Sequence, residues 1–238
     1  MTLDGKVAVV TGGGRGIGRA VCEHFVSAGA EVISLSRSAP DGDAAGPLTW
    51  VSCDITDEGS VDEALSAVLQ RHGRIDVLVN NAGVTHGAMV HKDELDSFRH
   101  VLDVNLVGTW LCTRRALLAM REQRSGSIVN IGSMAGKLGN VGQGAYSAAK
   151  AGVVALTKTT AREGAGRGVR CNAIQPGLIT TDMTAAMPPE AYERILESIP
   201  LGRPGTSAEV ADVAAFLASD QASYVTGCVI DVAGGRGM

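Results

Sequence analysis

Short apolar runs alternate with longer helical segments along almost the whole chain. Most of the apolar runs are rich in Val, Ile and Leu and lack alternation of polar and apolar positions, which is typical of parallel strands covered on both faces. We predict strands over residues 7–10, 32–35, 48–52, 75–79, 128–131, 169–174 and 228–231. Between the first two strands, Ile17, Ala20, Val21, Phe25 and Ala28 follow helical spacing and predict an amphipathic helix.

Two segments interrupt this alternation. Residues 38–47 are rich in Gly, Pro, Asp and Ala, so we predict a loop where a crossover helix would normally lie. Residues 180–206 contain four of the seven prolines, and we expect this segment to form a substrate lid. No linker or repeat divides residues 1–238, so one domain is expected. The sequence predicts a single-domain, Rossmann-like α/β fold: a doubly wound parallel sheet of seven strands with helices on both faces.

The composition argues against several classes of protein. Lys and Arg number 21 against 25 Asp and Glu, and no extended basic block occurs, so neither a nucleic-acid nor a membrane partner is expected. No apolar run approaches the roughly 18–20 residues that cross a bilayer, and the first residues lack the apolar core of a signal peptide. The five cysteines include no CxxC pair, and His86 and His91 have no partners at ligand spacing, so no metal site is predicted. We expect a cytoplasmic protein with reduced thiols.

A glycine-rich turn follows the first predicted strand. Gly12, Gly16 and Gly18 follow GxxxGxG spacing rather than GxGxxG. Glycines at such a turn let backbone N–H groups approach a pyrophosphate that faces a helix N-terminus. The motif alone favours a dinucleotide site only modestly over a turn without a ligand.

The segment Asn80-Asn81-Ala82-Gly83 follows the fourth predicted strand. Asn side chains readily bond to nearby backbone, so an ordinary Asx-type turn is one interpretation. The other is that the segment forms the floor beneath the adenine ribose of a nucleotide. The residues alone leave both open.

Tyr146 and Lys150 stand four positions apart, so they share one face of a helix. A free phenol has a pKa near 10, and a neighbouring cation favours phenolate, which would suit it to acid–base chemistry. Taken alone, an ordinary amphipathic helix explains the pair at least as well. Ser133, just after the fifth predicted strand, and Asn105, a polar amide in the apolar stretch 101–111, add side chains in need of partners.

Together these motifs resemble the short-chain dehydrogenase/reductase family over about residues 5–235. The family pattern is TGxxxGxG, NNAG, a helical Asn, a Ser, and YxxxK with 12 residues between the Ser and the Tyr, and the chain contains each element in this order. The resemblance implies an oxidoreductase that transfers hydride from a nicotinamide while the protein manages orientation and protons.

The resemblance also implies a role for each residue. Tyr146 would be the general acid or base, Lys150 would lower its pKa and bind the ribose, Ser133 would hold the substrate oxygen, and Asn105 would support a proton relay. Substrate contacts are expected at Ser133, Gln143, Tyr146 and Leu178. The expected cofactor-binding residues are Thr11, Gly12, Gly14, Arg15, Gly16, Ile17, Gly18, Arg37, Asp54, Ile55, Asn81, Ala82, Gly83, Tyr146, Lys150, Pro176, Gly177, Ile179 and Thr181.

Charge at the end of the second predicted strand bears on the choice of cofactor. NAD enzymes of this architecture usually place a carboxylate there to bind the ribose 2′-hydroxyl. Here the segment 34–38 has no acid, and Arg37 suits a 2′-phosphate, to which Arg15 would add a second charge. Asp41 and Asp43 weaken this argument slightly. The sequence favours NADP(H).

Within the family, several strings look closest to 3-oxoacyl-acyl-carrier-protein reductases, among them residues 139–143, 181–184 and 199–203. The resemblance implies a homotetramer, an acyl substrate on acyl-carrier protein or CoA, and a basic rim for the carrier at Arg121, Arg124 and Arg167. The segment 86–91 departs from this pattern and puts the acyl substrate in doubt. A reductase of another small ketone, sugar or steroid alcohol, or a catalytically silent NADP-binding scaffold, stays open as an alternative.

Overall fold

Seven parallel strands form the centre of the fold in the computed structural model, which describes residues 2–39 and 48–238. They are β1 (Val7–Thr11), β2 (Glu31–Ser36), β3 (Leu48–Ser52), β4 (Val77–Asn80), β5 (Gly126–Ile131), β6 (Val169–Pro176) and β7 (Val229–Val232). The seven predicted strands are confirmed, although β4 begins later than predicted, after Ile75 and Asp76.

The strand order across the sheet is β3-β2-β1-β4-β5-β6-β7. The chain therefore winds outward from β1 to one side and then from β4 to the other. The carboxyl ends of β1 and β4 flank the point where this direction changes, and doubly wound sheets bind ligands in the crevice at that point. The expected Rossmann-like topology is confirmed.

Helices cover both faces of the sheet. They are α1 (Gly16–Ser27), α2 (Glu58–His72), α3 (Leu95–Leu102), α4 (Gly108–Gln123), α5 (Met134–Leu138), α6 (Gly144–Ala165), α7 (Asp182–Ala185), α8 (Pro189–Glu197) and α9 (Ser207–Ala218). A π-helical turn, Asp103–Val107, joins α3 to α4 without a break. Among the described residues, no helix is both long and apolar enough to cross a bilayer.

Two apolar cores hold the layers together. On one face, Phe25 of α1 and Leu217 of α9 pack with alternate residues of the central strands, and on the other face Leu65 and Met120 pack from α2 and α4. Since both faces of the sheet are buried, its strands are apolar at successive positions, which explains the uninterrupted Val/Ile/Leu runs.

The two unusual segments differ in how far the structure describes them. Residues 37–38 form a bend just after β2, while residues 40–47 of the predicted loop lie outside the described residues. Residues 180–206 contain the short helices α7 and α8, and no residue of α8 is buried.

Candidate active site at the carboxyl edge of the sheet

The glycine turn between β1 and α1 depends on the absence of side chains. A Cβ on Gly18 would lie 2.2 Å from the carbonyl oxygen of Gly12, which is backbone and cannot move aside. Gly12 and Gly16 adopt positive φ angles of 67° and 55°, which favour glycine. Gly14, Arg15 and Ile17 complete the turn and the start of the helix.

The N-terminus of α1 fits an anionic group. Arg15 stands at the N-cap position, its side chain makes no capping hydrogen bond, and the first turn contains no acidic residue. Its exposed guanidinium adds positive charge at the same end. Free backbone N–H groups and the helix dipole make such a terminus suited to a phosphate.

The Asn80–Gly83 segment supports the glycine turn instead of forming an Asx turn on itself. The Asn81 amide donates to the carbonyls of Thr11 and Gly12 at 3.0 and 3.1 Å. The Thr11 hydroxyl accepts from the backbone N–H groups of Asn81 and Ala82, both at 3.0 Å. A Cβ on Gly12 would lie 2.9 Å from the Ala82 Cα, so the two loops touch. The amide N–H groups of Asn81 therefore bind the glycine turn and not the backbone of their own segment.

Asn80 points into the protein and belongs to a buried polar network that the sequence did not reveal. Its amide donates to Asn130 of β5 and to Thr113 of α4 at 2.8 and 2.9 Å. Asn130 in turn donates to Thr157 of α6 at 2.8 Å. These bonds fix α6 against the central strands. A run of buried polar residues facing one another across strands is visible only once the strand register is known.

Ser133 follows β5 and caps the short helix α5. Its hydroxyl oxygen accepts a hydrogen bond from the backbone N–H of Ala135 at 3.1 Å. Capping fixes the serine at the carboxyl edge, where its O–H group can still donate.

Tyr146 and Lys150 lie on α6, one turn apart, with the ammonium nitrogen 5.7 Å from the centre of the phenol ring. The Lys150 side chain is almost fully buried and donates to the carbonyl of Ile131 at 2.8 Å. That carbonyl ends β5, two residues before Ser133. Helix α6 and strand β5 thus bring Ser133, Tyr146 and Lys150 together, as expected.

The pKa of Tyr146 shifts in the direction opposite to the one that the sequence predicts. Burial raises the pKa of Tyr146, and hydrogen bonding to the Ser133 side chain partly opposes this. Burial also lowers the pKa of Lys150 to about 8. The expectation that Lys150 lowers the phenol pKa considered only its charge. In the folded chain both groups lose solvation, which disfavours phenolate and ammonium alike.

Asn105 lies in the π-helical turn between α3 and α4 and is fully buried. Its amide N–H groups donate to the carbonyls of Val84 and Val101 at 2.8 and 2.9 Å. Its Oδ1 has no hydrogen-bond partner among the described residues. A Cβ on Gly83 would lie 2.6 Å from this oxygen and 3.6 Å from Lys150 Nζ, so Asn105 and Lys150 converge on Gly83.

The segment that follows β6 returns to the glycine turn. Gly177, after Pro176, donates its N–H to Val232 at 2.9 Å, and a Cβ there would lie 2.9 Å from the Ala233 Cα. Thr181 caps α7, and its methyl carbon lies 3.6 Å from where Gly16 would carry a Cβ.

The two residues that follow Gly177 lie in the protein interior. The side chains of Leu178 and Ile179 are buried, at 4% and 3% exposure. Leu178 therefore offers little side-chain surface to a substrate.

The end of β2 is open and carries positive charge. Arg37 is exposed, and no ion pair within the described parts of the chain includes it. Asp54 follows β3 beside it, and the pKa of its carboxyl is lowered, chiefly by hydrogen bonds from Thr56 and less by the charges of Arg37 and His100. Ile55 is buried and packs where Gly108 leaves room. Asp41 and Asp43 lie outside the described residues.

Three arginines predicted to form a basic rim lie elsewhere. Arg121 and Arg124 are at the end of α4, before β5, and Arg167 directly precedes β6. These positions mark the amino edge of the sheet, opposite the edge that carries Ser133, Tyr146 and Lys150. Within one chain they are not neighbours of the site.

Two further findings concern His, Cys and acidic residues. Among the described residues, no group of three or more His, Cys, Asp or Glu side chains is arranged to hold a metal ion. His86 lies 3.7 Å from Asp93 in the loop after β4, and His24 lies 3.3 Å from Asp212 at the edge of the core.

Comparisons with known proteins match this architecture along the whole chain. A family model described as enoyl-(acyl carrier protein) reductase matches residues 12–236. A 3-oxoacyl-[acyl-carrier-protein] reductase, FabG, of Thermotoga maritima is 44% identical over 99% of both chains. Among solved structures, gox2181 is 35% identical with a TM-score of 0.94, covering 99% of this chain and 96% of its own. The aldohexose dehydrogenase of Thermoplasma acidophilum is 34% identical with a TM-score of 0.90, covering 98% of this chain and 94% of its own.

The family assignment rests on these full-length matches together with the ordered motifs and their meeting at one edge of the sheet. Proteins of this family are oxidoreductases that act on CH–OH or C=O groups and bind a nicotinamide cofactor. The protein therefore belongs to the short-chain dehydrogenase/reductase family.

Proposed function

We propose that this protein reduces a 3-oxoacyl thioester, carried by acyl-carrier protein or CoA, to the 3-hydroxyacyl thioester with NADPH. The observation that carries the proposal is the meeting of Ser133, Tyr146 and Lys150 at the carboxyl edge of the sheet, beside the glycine turn. The name of the Thermotoga maritima relative supports the choice of substrate.

The dinucleotide would be held along the edge from β2 to β6. The uncapped N-terminus of α1 and the glycine turn would bind the pyrophosphate, while Asp54, Ile55 and the Asn81–Gly83 segment would lie along the adenosine half. Pro176, Gly177, Ile179 and Thr181 would hold the nicotinamide half. When bound, the nicotinamide supplies the hydride.

Tyr146 and Ser133 would share the substrate carbonyl oxygen. Both hydroxyl groups would donate to it, the Ser133 hydroxyl by turning from the phenol oxygen to the substrate, and Tyr146 would give up its proton as the oxygen gains negative charge. Burial raises the pKa of Tyr146, so the phenol is protonated at neutral pH, which is the form that donates a proton during reduction.

Lys150 and Asn105 would restore that proton. Lys150, with a pKa lowered to about 8, is mostly protonated at pH 7 yet releases a proton readily. The unpartnered Oδ1 of Asn105 faces the same space beside Gly83, so it offers an acceptor for a water there. As pH rises through about 8, Lys150 loses its charge and the protein loses this proton source.

Preference for NADP(H) is supported by charge. Arg37 is exposed and has no carboxylate partner in the described parts of the chain, and Arg15 lies at the glycine turn nearby. A guanidinium pairs well with a 2′-phosphate. The substrate would enter past Gln143, with Leu178 contributing little of its buried side chain, under a lid formed by residues 180–206.

The protein is proposed to act as a homotetramer in the cytoplasm. A groove of about 650 Å³ runs between α4 and α6. Its apolar lining residues are Trp110, Leu117, Leu118 and Leu156, and polar and charged side chains that include Arg114, Arg121 and Glu163 line the rest. Trp110 and Leu118 are 43% and 57% exposed, which is unusual for large apolar side chains on one face and suits burial against a second copy. Sedimentation as a monomer at micromolar concentration would contradict this assembly.

A second candidate is a dehydrogenase of a sugar or another small ketone or alcohol, which the structural likeness to an aldohexose dehydrogenase favours. The segment 86–91, which departs from the pattern of the 3-oxoacyl-acyl-carrier-protein reductases, agrees with it. A silent NADP-binding scaffold has no use for the assembled Ser133, Tyr146 and Lys150.

Steady-state rates separate these functions. Acetoacetyl-CoA, a 3-oxoacyl carrier-protein thioester, simple ketones and aldohexoses are compared with each cofactor. The proposal expects kcat/KM to be highest for the thioesters with NADPH. A higher value for an aldohexose or a simple ketone would favour the second candidate, and no turnover of any of them would favour the scaffold.

A further inference from the structure

The C-terminal turn carries a half-buried arginine beside the loop that leads to Tyr146. Gly234, Gly235 and Gly237 adopt positive φ angles of 61°, 89° and 89°, which let the chain fold back on itself. A Cβ on Gly237 would lie 2.6 Å from Met134 of α5, so the turn rests directly on that helix. Arg236 is thereby held next to residues 139–143.

Arg236 makes a single side-chain hydrogen bond in the described parts of the chain. Its guanidinium donates to Oδ1 of Asn140 at 3.3 Å, and no ion pair there includes it. Burial lowers its pKa, as expected for a cation without an acidic partner. Removing a guanidinium partly from water without a carboxylate is unfavourable, so its position calls for an explanation.

The hydrogen bond to Asn140 is the first of three successive side-chain hydrogen bonds whose donor-to-acceptor direction is fixed. A guanidinium has only donors, so it must face the oxygen of the Asn140 amide. The Asn140 NH2 group then points away and donates to Oε1 of Gln143 at 2.8 Å. With its oxygen occupied, Gln143 turns its NH2 group outward, toward the Thr85 hydroxyl at 3.4 Å.

Gln143 is the N-cap residue of α6, and its carbonyl accepts from the backbone N–H of Ser147 at 2.8 Å. It therefore stands at the start of the helix that carries Tyr146. Only the donor side of its amide is left for a ligand, and such a donor suits a carbonyl oxygen better than a hydroxyl proton.

We propose that Arg236 is a positioning residue that orients the Asn140 and Gln143 amides so that Gln143 presents N–H donors to the substrate. The inference rests on the proposed function, since it assigns those donors to the thioester carbonyl of a 3-oxoacyl substrate. Arg236 touches neither the substrate nor the reacting atoms and acts through Asn140.

The sharpest test is Asn140→Asp, because it keeps the shape and strengthens the contact with Arg236. Aspartate only accepts hydrogen bonds, so Gln143 must turn its NH2 group inward and its oxygen outward. We expect KM for acetoacetyl-CoA to rise roughly three- to tenfold, the loss of one uncharged hydrogen bond, with kcat within about twofold. The free energy of unfolding should be unchanged or higher. If Asn140 had only a structural role, a higher KM would instead come with a lower free energy of unfolding.

Arg236 variants test whether Arg236 sets the direction of these hydrogen bonds. Arg236→Met should raise KM for acetoacetyl-CoA, and Arg236→Glu should raise it further, because glutamate accepts from Asn140 and reverses both amides. Arg236→Lys, which has only donors, should restore nearly the normal KM. Arg71→Met and Arg71→Glu, at an exposed position near the end of α2, are the matched controls. In a Gln143→Ala background, Arg236→Met should have almost no further effect on KM.

Several outcomes overturn the proposal. They are an unchanged KM in Asn140→Asp, an equal effect of Arg236→Met with and without Gln143, or failure of Arg236→Lys to restore KM. If the wild-type protein turns over no 3-oxoacyl thioester, the proposed function has failed, and the side-chain amide resonances of Gln143 then test the orientation without substrate. Its amide protons should move downfield in Asn140→Asp, where they donate to a carboxylate. Unchanged resonances would overturn the orientation itself.

Discussion

Replacing Lys150 by methionine should make the protein more stable while it destroys activity. Lys150 is buried, and the pKa of its side chain falls from 10.5 to about 8. One pKa unit corresponds to about 1.4 kcal/mol, so holding the ammonium in this site costs roughly 3 kcal/mol. The methionine side chain would instead leave the Ile131 carbonyl without its donor, which costs about 1–2 kcal/mol. The variant should therefore be more stable by roughly 1–2 kcal/mol at pH 7, a rise in Tm of about 2–8 °C.

The pH dependence of this difference is the more specific test. Below pH 8 Lys150 is charged in both the folded and unfolded states, and the full cost applies. Between pH 8 and 10.5 the folded state is neutral while the unfolded state stays protonated, so unfolding takes up a proton and wild-type stability rises with pH. The advantage of Lys150→Met should therefore be constant below pH 8, disappear about one pH unit higher, and reverse as pH approaches 10.5.

Denaturant unfolding at fixed protein concentration, from about pH 7 to 10, measures the free energy of unfolding of each variant. The matched control is Lys158→Met, since Lys158 lies on α6 but is exposed, and it should change stability little at any pH. A stability difference for Lys150→Met that does not vary with pH would refute the argument, because it would show that the Lys150 ammonium is not held in a desolvated site.

Three other variants test separate parts of the site. Tyr146→Phe should lower kcat more than about a hundredfold with NADPH binding nearly unchanged, because we propose that the phenol transfers the proton. Tyr224→Phe, at a fully exposed tyrosine, is the control, and near-full ketone reduction by Tyr146→Phe would disprove the assignment. Arg37→Asp should weaken NADPH binding roughly ten- to a hundredfold and move the cofactor preference toward NADH, and this effect should shrink as the salt concentration rises. The measurement is kcat/KM for both cofactors. A wild-type protein that prefers NADH would contradict the charge argument. Gly18→Ala should abolish binding of either cofactor, since the new Cβ would lie 2.2 Å from the Gly12 carbonyl oxygen. Fluorescence titration with NADPH measures the affinity. An unaltered affinity would show that the glycine turn is not the pyrophosphate site.

The sequence by itself determined the order of elements and predicted which residues carry the chemistry. Uninterrupted apolar strands and intervening helices predicted the doubly wound sheet because burial of both faces leaves a direct mark on composition. The spacing of Tyr146 and Lys150 predicted a shared helix face, since helical periodicity is local. Glycines at positions 12, 16 and 18 likewise marked a turn that excludes side chains.

Only the tertiary structure decided how these residues affect one another. Whether Asn81 forms a local turn or braces Thr11 depends on which strands are adjacent, and the buried link from Asn80 through Asn130 to α6 depends on strand register. The pKa of Tyr146 moves opposite to the sequence argument because desolvation is set by everything packed around the phenol. Arg236 and Asn140 stand 96 positions apart and meet only because the glycine turn folds the C-terminus onto α5. Local spacing records periodicity and backbone freedom, whereas solvation and long-range pairing arise only when distant segments pack.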